Sequence, residues 1–134
     1  MVTILSVKEL LQMKLVIPEY QRPYKWQIRN IEDLLSDIEK SISDYERFNN
    51  NFKYRIGSVI LFNNNGSYEI VDGQQRILSL VLLSFYLKQK VSKSILNMEF
   101  LSKITQNNLH KNYKFIKEFI PGDTLPFWPI CTPP

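Results

Sequence analysis

At 134 residues and 15.9 kDa the chain has room for one hydrophobic core, and hence one domain rather than two. Its 44% hydrophobic and 22% charged residues form a globular balance that excludes a disordered or collagen-like polypeptide. The formal net charge of +4 favours anionic partners, and a single cysteine, Cys131, rules out an internal disulfide and suits a reducing cytoplasm.

Taken in order, Met1 to Leu5 lacks the basic and long apolar regions of a secretory signal. Ser6 and Glu9 then stand at capping-box spacing around Val7, Leu10, Leu11 and Met13, which predicts a short helix. Lys14 to Ile17 reads as a short strand stopped by Pro18, which has no N–H for a ladder. The stretch Pro18 to Trp26 packs Tyr20, Gln21, Arg22, Tyr24 and Trp26 around two prolines. Two readings stand for it: a recognition loop whose Arg22 fork meets a phosphate or carboxylate, or an aromatic roof on the core whose polar ends are wet.

From Ile28 the apolar residues Ile31, Leu34, Leu35, Ile38, Ile42 and Tyr45 recur at helical spacing, with Glu32, Asp33, Asp37, Glu39 and Lys40 between them on a solvated face. Asn49 to Asn51 ends this helix. Tyr54 to Phe62 and Ser67 to Val71 form a hairpin around Asn63-Asn64-Asn65-Gly66, and Gly57 marks either a bulge or a place where ligand or backbone comes close. Ile77 to Leu87 is apolar on nearly every side, as expected of a central buried helix, and is too short to cross a membrane. Two further helices, over Ile95 to Ile104 and Leu109 to Phe119, precede a Pro-rich tail. Lysines 88, 90, 93, 103, 111, 114 and 117 concentrate positive charge in this C-terminal part, and His110 belongs to its surface. The expected organisation is a core over 1–90, a helical extension of the same domain over 91–120 and a tail over 121–134.

The chemistry concentrates where strand gives way to helix, at Asp72-Gly73-Gln74-Gln75-Arg76. One reading is a capped helix start, with Asp72 as N-cap and Gln75 completing the box. The other is an anion site, in which a glycine admits a phosphate to unpaired helix N–H groups and Arg76 adds its guanidinium. An arginine in the first turn opposes the helix dipole, and this favours a bound anion. No Walker-type loop is present.

Read together, Tyr20-Gln21-Arg22-Pro23 within Ile17 to Trp26, then Ile56-Gly57-Ser58-Val59-Ile60-Leu61, and Ile70 to Ile77 with its Asp-Gly-Gln-Gln-Arg core resemble the N-terminal domain of GmrSD-type proteins, of the ParB/sulfiredoxin-like superfamily. The resemblance runs over roughly Met1 to Leu87. It implies an α+β fold, a small β-sheet flanked by helices with a helical C-terminal part, and a nucleotide-dependent role in prokaryotic defence against modified DNA. It further implies NTP binding and hydrolysis at Asp72, Gln75 and Arg76, with Tyr20, Gln21, Arg22, Gly73, Gln74 and Arg76 on the nucleotide and phosphates. The ligand would be an NTP (GTP, CTP and UTP are not distinguished) with a divalent cation such as Mg²⁺, and Asp72 or Gln75 would meet that ion or a water. An HNH-type nuclease domain or subunit is the implied partner, since the chain has no His-Asn-His cluster. Two alternatives remain, a DNA-binding module using the C-terminal lysines and an interaction subunit that docks through Trp128 and the tail.

Overall fold

The computed structural model describes residues 3–17, 23–48, 57–87 and 103–122, which form an α+β fold of four helices and a three-stranded sheet. Helix α1 (Val7–Gln12) starts with the expected capping box, Ser6 Oγ accepting from Glu9 N at 3.1 Å and Glu9 Oε1 accepting from Ser6 N at 3.1 Å. The Ser6 backbone N–H, and after it the Ser6 hydroxyl, hold the Glu9 carboxyl below its usual range. Strand β1 (Leu15–Val16) follows at once and buries Leu15 completely.

Helix α2 (Ile28–Phe48) turns Ile31, Leu34, Leu35 and Ile38 inward and leaves Glu32, Asp33, Asp37 and Glu39 exposed. Strands β2 (Ile60–Asn64) and β3 (Ser67–Asp72) make the hairpin, joined through Asn65 and Gly66. The first strand is shorter than expected: residues 57–59 lie outside any strand, and the expected start at residues 54–56 falls outside the described residues. β3 is central, parallel to β1 on one side and antiparallel to β2 on the other. A parallel pair needs a crossover connection, and α2 lies within the one that joins β1 to β3. The register shifts between Ile60 and Leu61, a bulge beside the point where β3 runs out at Asp72.

Helix α3 (Gln74–Tyr86) is the central element, with Ile77, Leu78, Ser79, Leu80 and Val81 all buried in succession; Phe85 is the one clear exception, 58% exposed. Helix α4 (Lys103–Phe119) packs against α3 and α2. It is continuous from Lys103, six residues ahead of the expected start at Leu109, while the rest of the earlier helix and the tail beyond residue 122 lie outside the described residues. Leu109, Ile116 and Ile120 join Leu11, Leu35, Ile70, Ile77 and Leu83 in one core. Among the described residues no helix is long and apolar enough to cross a membrane.

Candidate functional site

The strand-to-helix turn is built differently from a side-chain cap. β3 continues through Asp72, which pairs with Ile60 and is exposed, so the N-cap position falls to Gly73 at φ +97°. No side-chain cap bond closes the start of α3. Of the two readings of this turn, the one in which Asp72 caps the helix and Gln75 completes the box does not hold: Asp72 is held in the sheet, and the carboxamide of Gln75 is engaged elsewhere. Glycine is required at 73 on two counts. The left-handed φ penalises any L side chain, and a Cβ there would stand 2.6 Å from Val59 Cγ1 and 3.4 Å from Val59 Cα. Gly57, at φ +132°, lies against the Arg76 guanidinium so closely that a Cβ would overlap Nη1. What comes close at Gly57 is therefore the side chain of Arg76, half-buried beside the turn, rather than backbone, and the register shift falls at Ile60/Leu61 instead. Gln74, the first residue of α3, is buried at 8% exposure.

Gln75 reaches across to the chain ahead of α2. Its Oε1 accepts from Lys25 N at 2.6 Å and Trp26 N at 3.1 Å, and its Nε2 donates to Pro23 O at 3.1 Å. The remaining backbone groups of this loop are met by α4. Thr105 Oγ1 accepts from Tyr24 N at 2.9 Å, Asn108 Nδ2 donates to Tyr24 O at 2.8 Å, and Asn112 Nδ2 donates to Trp26 O at 2.9 Å. Gln27 Nε2 donates to Lys25 O at 3.1 Å. Every N–H and C=O of Tyr24, Lys25 and Trp26 therefore has a side-chain partner, which is how a segment outside regular structure can enter the interior.

Tyr24 follows its backbone inward. Fully buried, its hydroxyl lies 2.7 Å from Ser79 Oγ and accepts from Asn112 Nδ2 at 2.7 Å. Ser79 Oγ in turn donates to Gln75 O at 2.9 Å. The aromatic-roof reading with a wet hydroxyl fails for Tyr24, because α3 and α4 supply the polar partners that water would have supplied. Burial pushes the Tyr24 pKa above the ordinary value of 10.0, against the lowering effect of the Ser79 and Asn112 bonds. The unfolded chain then releases the proton first, so this group contributes stability below about pH 10 that is lost as pH rises toward the folded pKa. Denaturant melts between pH 9 and 11 should show a steeper alkaline loss in the wild type than in Tyr24→Phe, and equal slopes would contradict the assignment.

Tyr20, Gln21 and Arg22 lie outside the described residues, although their chain continues directly into the clamped segment at Pro23. Ser79, Thr105, Asn108 and Asn112 belong to no motif of the sequence, yet the structure brings them to this loop. The available signal was polar residues at 105, 108 and 112, helical spacing on a face that otherwise buries Leu109 and Ile116.

A family model described as GmrSD restriction endonuclease, N-terminal domain, matches residues 7–129. The match extends well past Leu87, where the sequence resemblance was expected to fade, and it takes in α4, whose side chains complete the loop before α2. No curated protein matches the chain.

Proposed function

Because the chain belongs to the GmrSD restriction endonuclease N-terminal domain family, and so to the components of a restriction system, we propose that its Asp72–Arg76 turn binds a nucleoside triphosphate and regulates a nuclease. The observation that carries this reading is the start of α3, where a left-handed Gly73 takes the N-cap position without a side-chain cap and Arg76 stands one turn in. A helix start of this kind presents backbone N–H groups and the positive end of the dipole to an anion. Arg76, and Arg22 from the preceding segment, supply phosphate charge. Tyr20 and Gln21 complete the nucleotide side.

Among the described residues no group of three or more His, Cys, Asp or Glu side chains could hold a metal ion. Asp72 alone fits Mg²⁺ arriving with the nucleotide, since this ion is commonly held by one or two carboxylates together with substrate phosphates. Bound there, the ion would neutralise phosphate charge. Gln75 is reassigned from catalysis to positioning, as both ends of its carboxamide already serve Pro23, Lys25 and Trp26. An HNH-type nuclease acting with the domain is supplied from outside these residues, which contain a single histidine.

Isothermal titration with GTP, CTP, UTP and ATP in Mg²⁺ tests the site. At least one should bind the wild type, and Arg76→Ala should weaken it by about tenfold to a hundredfold, the weight of one charge-assisted hydrogen-bonding group. Unchanged affinity in Arg76→Ala rules out the assignment.

A second reading rests on α4, whose solvent face exposes Lys103, His110, Lys111, Lys114 and Lys117 with Glu118 as its one carboxylate. This face suits a DNA backbone. Lys117 also sits 5.2 Å from the ring centroid of Tyr113. DNA affinity should fall steeply between low and physiological salt, and the log–log slope should flatten by about 1 for each phosphate-contacting lysine replaced by alanine. A salt-independent affinity would exclude the backbone mode.

A further inference from the structure

Gln75 occupies two structures at once. It is the second residue of α3, inside the turn that carries Gly73 and Arg76, and its side chain is the acceptor and donor for the loop Pro23–Trp26. That loop is held from its other side by Thr105, Asn108 and Asn112, which lie at i, i+3 and i+7 along α4. The two sets of bonds interleave: Tyr24 N–H and C=O go to α4, Lys25 N–H goes to Gln75, and Trp26 sends its N–H to Gln75 and its C=O to α4. A second bridge runs beneath the first, from Asn112 through the Tyr24 hydroxyl and Ser79 Oγ to the carbonyl of Gln75. The two ends thus hold Trp26 in common, and the second bridge joins them through Tyr24.

We propose that Thr105, Asn108 and Asn112 are positioning residues for the first turn of α3, so that docking of α4 and occupancy of that turn are thermodynamically coupled. The inference rests on the reading of this turn as a nucleotide site. No α4 residue of the set needs to touch the ligand; the effect passes through the backbone of Tyr24–Trp26 to Gln75. Loosening the α4 end leaves more motion to be frozen when a ligand fixes the first turn, and affinity falls by that amount. Coupling free energies are reciprocal, so a nucleotide that holds the turn also tightens the bonds to α4.

Thr105→Val and Asn108→Ala each remove one bond to Tyr24, while Thr105→Ser keeps the hydroxyl. Titration with the nucleotide found to bind the wild type should give Kd values raised about fivefold to tenfold in Thr105→Val and Asn108→Ala, the weight of one lost hydrogen bond, and within about twofold of wild type in Thr105→Ser. Amide exchange should quicken in both variants at Lys25 and Trp26, whose own acceptor on Gln75 is untouched, and saturating nucleotide should slow exchange at Tyr24 in the wild type. Asn108 is part-buried and guards against a Thr105→Val chain that fails to fold. If Arg76→Ala loses binding while Thr105→Val and Asn108→Ala bind as wild type does, with unchanged exchange at Lys25 and Trp26, the coupling is overturned and the site reading survives. If no nucleotide binds the wild type, the site reading itself fails and the coupling with it.

Discussion

Replacing Gly73 with alanine should destabilise the domain by about 2–6 kcal/mol and abolish the nucleotide binding proposed at the α3 N-terminus. Two costs add. Holding a non-glycine residue in a sparsely populated backbone region costs on the order of 1–3 kcal/mol. Forcing a methyl group into packed space costs about 1–3 kcal/mol more, and Val59 Cγ1 would be only 2.6 Å from the new Cβ. Against the 5–15 kcal/mol typical of a single domain, that is a large fraction of the total. Equilibrium denaturation measures the sum, and Val59→Ala in the same background separates the parts. The double variant should regain the steric share and keep the backbone share. An alanine variant as stable as wild type would mean that the turn adopts another conformation in solution, and the anion geometry argued from Gly73 would fall with it.

Gln75→Ala should cost about 2–4 kcal/mol, chiefly because it strips partners from three backbone groups, Lys25 N–H, Trp26 N–H and Pro23 C=O, in a segment with no ladder of its own. The variant should lose exchange protection at Lys25 and Trp26 before it loses protection in the helices. Gln75→Glu sharpens the test: it keeps an acceptor for the two N–H groups but turns an oxygen toward Pro23 C=O in place of the donor. Its stability should fall between wild type and alanine. A residue acting only in catalysis would behave in the opposite way, leaving the melt unchanged while activity disappears, so the melting curve alone distinguishes the roles of this side chain.

Much of the fold was legible because its signals are local. Ser6 and Glu9 bond each other three residues apart, the apolar residues 31, 34, 35 and 38 define one helical stripe, and the hairpin turns at Asn65-Gly66 within a few residues of where composition placed it. The candidate turn was legible as a place, since Gly73 and Arg76 lie between a strand and an apolar helix. Its internal construction was not. Whether Asp72 ends the strand or begins the helix depends on its pairing with Ile60 across the hairpin, a contact that capping rules do not contain.

While the start of α4 and the extent of β2 differ from what spacing predicts, the sequence alone specifies the order of the elements from α1 to α3, which faces are apolar, the concentration of lysines in the C-terminal part and the family to which the motifs point. Those properties follow from spacing along the chain and from side-chain chemistry. Only the tertiary structure decided that Tyr24 is buried rather than wet, that Gln75 is a clamp rather than half of a capping box, and that α4 completes the loop before α2. Each of these depends on polar partners brought together from 49 to 88 residues away in sequence. A buried donor accepts any acceptor of suitable geometry, and which one it meets is set by how α2, α3 and α4 pack around the shared core.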